Sequence, residues 1–105
     1  MKQDLLKIIN YYSLMKQLKY IHSEYFELDE AIVKSQYNCN YDFIEKDEDI
    51  KHIAEEIADV MVMLKQFQYY YGIDDKQIEE IMKYKIDRQL IRIKNEKNER
   101  LMEDN

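Results

Sequence analysis

The sequence predicts an all-α protein of four helices packed as a bundle. Three observations carry this. The chain has no proline and one glycine, Gly72, whereas sheets and long loops need turn residues. Apolar side chains recur at three- and four-residue intervals, as on one face of a helix. Start and stop signals fall where the periodic runs break: Ser13, Gly72 and Asp74.

The first element covers residues 2 to 10, where Leu5, Leu6, Ile8 and Ile9 suffice for a short amphipathic helix. Asn10-Tyr11-Tyr12-Ser13 interrupts it, and Ser13 is placed to cap the second helix. That helix is expected from about Leu14 to Gln36, with Leu14, Leu18, Ile21, Tyr25, Leu28 and Ile32 as its apolar stripe. Residues Asn38 to Asp42 read as a loop.

A third helix starts near Asp47 to Asp49, whose negative charge suits a helix N-terminus. It is expected to reach Tyr71 and is apolar nearly all round: Ile53, Ile57, Val60 to Leu64, Phe67. Such a helix is central in a bundle or lies at a subunit contact. Gly72 supplies a left-handed stop. Asp74 caps a fourth helix from about Asp75 to Leu101, with Ile78, Ile81, Met82, Ile86, Leu90 and Ile93 on an inner stripe. The charged tail from about Asn95 is expected to fray. No repeat or second domain is visible, so residues 1–105 read as one domain.

Charge narrows the partners. A net charge of −6 argues against binding nucleic-acid polymers, which takes a basic face. No apolar run approaches the ~20 residues that span a bilayer, and the N-terminus lacks a signal-peptide pattern. A soluble, cytoplasmic protein with no membrane partner is expected. A lone cysteine, Cys39, excludes an internal disulfide and a thiolate metal cage. It has no basic neighbour to activate it as a nucleophile.

The most informative feature is a pair of short acidic motifs, Glu24-x-x-Glu27 and Glu56-x-x-Asp59, in the middle of the second and third helices. Positions three apart share a helix face. Each helix thus offers two carboxylates from a segment that otherwise reads as core. Two unit charges ~6 Å apart at an effective dielectric of ~20 repel by roughly 3 kcal/mol. A cluster of four needs protons or cations to persist. Oxygen-only ligands favour hard divalent ions, Mg²⁺ first and Mn²⁺ second. The competing reading is a structural polar stripe. Most acidic helix residues are solvated surface, and Asp29, Glu30, Glu48, Glu79 and Glu80 are assigned there. Glu56 and Asp59 stand apart because IAEEIADVMVML surrounds them with apolar neighbours.

These motifs and their flanks resemble the MazG-like group of all-α nucleoside triphosphate pyrophosphohydrolases, related to dimeric dUTPases and phosphoribosyl-ATP pyrophosphatases. The family pattern is E-E-x-x-E on one helix and E-x-x-D on the next. This chain has Ser23-Glu24-Tyr25-Phe26-Glu27, then Glu56-Ile57-Ala58-Asp59. Glu27-Leu28, Glu30-Ala31-Ile32, Glu55 to Val60, Tyr71-Gly72-Ile73 and Lys85 to Leu90 are also similar to family segments, so the resemblance spans roughly residues 5 to 93. Ser23 departs from it, standing where the family places its first glutamate.

The resemblance implies a MazG-type homodimer or homotetramer. It implies Mg²⁺-dependent hydrolysis of (deoxy)nucleoside triphosphates to a monophosphate and pyrophosphate. Glu24, Glu27, Glu56 and Asp59 would be the metal ligands. Glu24 or Glu27 would alternatively orient the attacking water. Lys85 and Arg88, on one face of the fourth helix with Arg92, would meet the phosphates, as against the commoner solvated helix face. His52, four residues before Glu56, would edge the site, while His22 reads as structural or exposed. Tyr11, Tyr12 and Tyr20 are candidates to stack on a base, although tyrosine more often fills helix gaps. Met61, Met63 and Met82 read as core. The rivals are a non-catalytic interaction module, a phosphoribosyl-ATP pyrophosphatase-type enzyme and a structural metal-binding bundle.

Overall fold

The structure is a computed structural model in which residues 1–42 and 46–103 are described. Among them are four α-helices and no strand: α1 (Lys2–Tyr12), α2 (Leu14–Asp42), α3 (Asp47–Tyr70) and α4 (Asp75–Glu103). The all-α expectation holds. The chain divides into two compact units, Met1–Gly72 and Ile73–Asn105.

Local chemistry sets the boundaries. Ser13 stands between α1 and α2 at φ 91°, a left-handed backbone rare outside glycine. Its hydroxyl accepts a hydrogen bond from the Lys16 amide at 3.2 Å, so it caps α2 as expected. Three acids, Asp47, Glu48 and Asp49, open α3 and complement its dipole. Gly72 lies just beyond α3 at φ 69°, the predicted left-handed stop. Asp74 caps α4 through its Oδ1, which accepts from the Gln77 amide at 2.7 Å.

In the first unit α2 and α3 pack most extensively, and α1 lies against both. As α2 advances from Gln17 to Asn38, its bonded partners on α3 retreat from Gln66 to Asp49, so the two helices run antiparallel. Leu5 and Ile9 anchor α1, Ile9 being fully buried, and with Ala31, Met63 and Tyr69 they make a small apolar core. The Lys2 ammonium sits 5.6 Å from the centroid of the Tyr69 ring and fixes the start of α1 there.

Four expectations need correction. Helix α2 does not end at Gln36 but runs through Asp42. No proline or glycine stops it, and Asn38 Nδ2 donates to the buried Asp49 Oδ2 at 2.7 Å, tying its last turns to the start of α3. Helix α4 does not fray from Asn95 but continues to Glu103. Its apolar stripe is not buried: Ile81, Met82, Ile86, Leu90 and Ile93 are exposed and Ile78 is half-buried. Met63 is core, whereas Met61 and Met82 are exposed. Among the described residues no helix is long and apolar enough to cross a membrane. The Cys39 side chain lies outside the described residues.

Candidate functional site

The line along which α2 meets α3 is unusually polar. On α2 the buried positions are Gln17, Glu24, Ala31 and Ser35, and on α3 they include Asp49, Glu56, Met63 and Gln66. Seven-residue spacing keeps Gln17, Glu24 and Ala31 on one face, and likewise Asp49, Glu56 and Met63. The expected apolar stripe of α2 is therefore displaced. Leu14, Ile21 and Leu28 are half-buried, and Leu18, Tyr25 and Ile32 are exposed.

At the middle of this interface the four predicted carboxylates meet. Glu24, Glu27, Glu56 and Asp59 each offer one oxygen, and these oxygens lie within 4.8 Å of one another. Glu24 and Glu56 are buried, at 7% and 9% exposure, while Glu27 and Asp59 are exposed. Two carboxylates are held inside and two open to water. Oε2 of Glu24 and Oε2 of Glu56 are buried with no hydrogen-bond partner among the described residues. A buried, unpaired carboxylate oxygen is costly and calls for a proton or a cation.

The electrostatics agree with that demand. The Glu56 carboxyl is held above its ordinary range, first by burial, then by Glu27 and Asp59, and less by Glu24. His52 opposes this, with Nε2 4.0 Å from Glu56 Oε1. The structure thus places His52 at the edge of the cluster, where the sequence put it. Tyr20 is one turn before Glu24. The Glu24 carboxylate, as an acceptor for the Tyr20 hydroxyl first and as a charge second, raises the Tyr20 pKa. Helical spacing of four to a glutamate was the available signal for this role of Tyr20.

The donor set fits a hard divalent ion. Oxygens on one octahedral Mg²⁺ at ~2.1 Å stand at most about 4.2 Å apart. The four carboxylates, each with an oxygen within 4.8 Å of the others, are the residues that would hold such an ion.

The cluster separates two clefts. One of about 640 Å³ includes Glu24 and Asp59 in its lining, together with Tyr12, Lys16, Gln17, Lys19, Tyr20, Ser23 and Gln66. The other, about 390 Å³, is lined by Glu27, Glu56, His52, Glu30, Lys34 and Ala31. Ser23 therefore faces the larger cleft beside Glu24. Lys16 and Lys19 are cations that the motif reading passed over, although they stand eight and five residues before Glu24. Lys85 and Arg88 lie on α4 in the second unit, both exposed. His22 is exposed, as are Asp29, Glu30, Glu48, Glu79 and Glu80.

Compared with protein-family models, with curated proteins and with solved structures, the chain matches none.

Proposed function

We propose that this chain is a Mg²⁺-dependent nucleoside triphosphate pyrophosphohydrolase of MazG type, acting on canonical or modified (deoxy)nucleoside triphosphates. The observation that carries this reading is the convergence of Glu24, Glu27, Glu56 and Asp59 with two buried, unpaired oxygens among them. A merely structural polar stripe would pair those oxygens with donors. The resemblance of the motifs and their flanks supplies the reaction class.

In this reading Glu24, Glu27, Glu56 and Asp59 would hold Mg²⁺, with Mn²⁺ as a substitute. When bound, the ion offsets the charge of the phosphates and makes water a stronger nucleophile near neutral pH. Glu24 or Glu27 orients the attacking water. Glu27 is favoured because it is exposed and Glu24 is not. Water adds at the phosphorus that ends in the monophosphate, the bridging bond to the next phosphate breaks, and pyrophosphate leaves. Lys16 and Lys19 line the same cleft as Glu24 and Asp59 and would meet phosphate oxygens.

Assembly as a homodimer or homotetramer is part of the same proposal. Ile50, Ile57, Leu64 and Tyr71 recur every seven residues along α3 and its C-cap, and each is at least 43% exposed. That spacing is the seam a second helix covers. The first unit buries only a few apolar side chains of its own.

A panel of nucleoside triphosphates with Mg²⁺, scored for pyrophosphate against orthophosphate, tests the activity. Pyrophosphate with the matching monophosphate is the expected product pair. Orthophosphate as the direct product would contradict the assigned bond.

A further inference from the structure

Two glutamine amides are buried beside the larger cleft, and the mechanism above does not use them. Gln66 is 1% exposed and Gln17 6%. Gln17 Nε2 donates to Gln66 Oε1 at 2.8 Å, joining α2 to α3. Among the described residues, Gln66 Nε2 meets only the Met63 sulfur, at 3.7 Å, a weak acceptor. An amide side chain has two donors and an acceptor oxygen with two lone pairs. Among the described residues the carbonyl of Gln17 receives no hydrogen bond, and it is not among the wholly buried unpaired atoms. Gln17 and Gln66 both line the larger cleft. A small core that buries two amides and leaves part of their capacity unused carries a cost that a planar polar ligand would remove.

Placement along the helices points to the kind of ligand. Gln17 is seven residues before Glu24, and Gln66 is seven residues after Asp59. On antiparallel helices both intervals run the same way, for roughly 10 Å. That is the length scale of a nucleoside from base edge to 5′ phosphate. Ile8, Val62, Met63 and the Tyr12 ring add apolar and aromatic walls to the same cleft.

Resting on the hydrolase reading above, we infer that this cleft is a nucleobase subsite. The Gln17 amide, held in place by its bond to the buried Gln66, reads the base edge, with the phosphates directed toward Glu24 and Asp59. An amide offers a donor and an acceptor side by side, the pattern that pairs with base edges.

Two measurements test this. In the first, the unaltered chain is titrated with the four nucleoside monophosphates, without metal, while NMR follows the Gln17 and Gln66 side-chain amide resonances. Selective shifts with at least one base are expected. No shift with any of the four overturns the subsite. In the second, Gln17→Met and Gln66→Met are combined and the triphosphate panel is repeated with Mg²⁺. The spread of KM across bases should narrow by at least about tenfold, with kcat changing less. An unchanged spread in a folded variant assigns the pair to helix register alone and overturns the inference. Should that variant not fold, the titration of the unaltered chain decides. Amide shifts without pyrophosphate release would remove the hydrolase reading and leave the subsite standing. Pyrophosphate release without amide shifts would do the reverse.

Discussion

Glu24 on α2 and Glu56 on α3 face each other across the helix interface, each with Oε2 buried and unpaired, in a cluster whose ligand oxygens lie within 4.8 Å. Neither helix alone would concentrate charge in this way. The antiparallel packing does it, by bringing two i, i+3 pairs to one level.

Removing one charge should separate binding from folding. Glu56→Gln keeps the shape and lessens the repulsion, so helical content should be retained and the metal-free melting temperature should not fall. Affinity for Mg²⁺ should drop by at least about tenfold to a hundredfold, since even groups behind metal ligands contribute that much. Pyrophosphate release should be lost. Titration calorimetry with Mg²⁺, circular dichroism and a product assay on the same variant check all three.

Acidity should act in a definite direction. Glu56 binds its proton more tightly folded than unfolded, because its folded pKa is raised. Ionising it costs the folded state. The penalty is absent below the unfolded value, about 4.3, and grows as pH rises through the raised folded value. Metal-free protein should therefore gain stability as pH is lowered from neutral toward that window. Saturating Mg²⁺ should oppose the trend, and its binding should release protons. Melting curves across pH with and without Mg²⁺ read the sign. Calorimetry in buffers of different ionisation enthalpy reads the protons.

Ser13 combines a cap with a strained backbone, and two substitutions separate them. Ser13→Ala loses the bond to the Lys16 amide and keeps the positive φ, so it should cost about 1 kcal/mol or more. Ser13→Gly also loses the hydroxyl but relieves the backbone, and should lie within a few tenths of a kcal/mol of the natural chain. Urea unfolding of both variants gives the comparison.

The exposed seam of α3 predicts a concentration-dependent assembly. Ile57→Asp with Leu64→Asp should yield a monomer by analytical ultracentrifugation, at concentrations where the natural chain is a dimer or tetramer. Both side chains are about half exposed, so the substitutions should not disrupt the helix itself. A natural chain that is already monomeric would contradict the seam.

Local signals were legible in the sequence because local chemistry decides them. The break at Ser13, the stop at Gly72, the Asp74 cap and the acidic start of α3 each depend on a few adjacent residues. So did the i, i+3 pairing that brought Glu24, Glu27, Glu56 and Asp59 forward. The misjudged features depend on partners far along the chain. Asn38 bonds Asp49, and Gln17 bonds Gln66, so neither the length of α2 nor its polar inner line was visible from spacing. The α4 stripe misled because periodicity marks a face without stating whether anything covers it.

Crystals of the protein grown with Mn²⁺ and measured for anomalous scattering address the central claim most directly. A peak at ligand distance from the oxygens of Glu24, Glu27, Glu56 and Asp59 is the predicted result. Those four side chains turned outward, with no peak between α2 and α3, would contradict it.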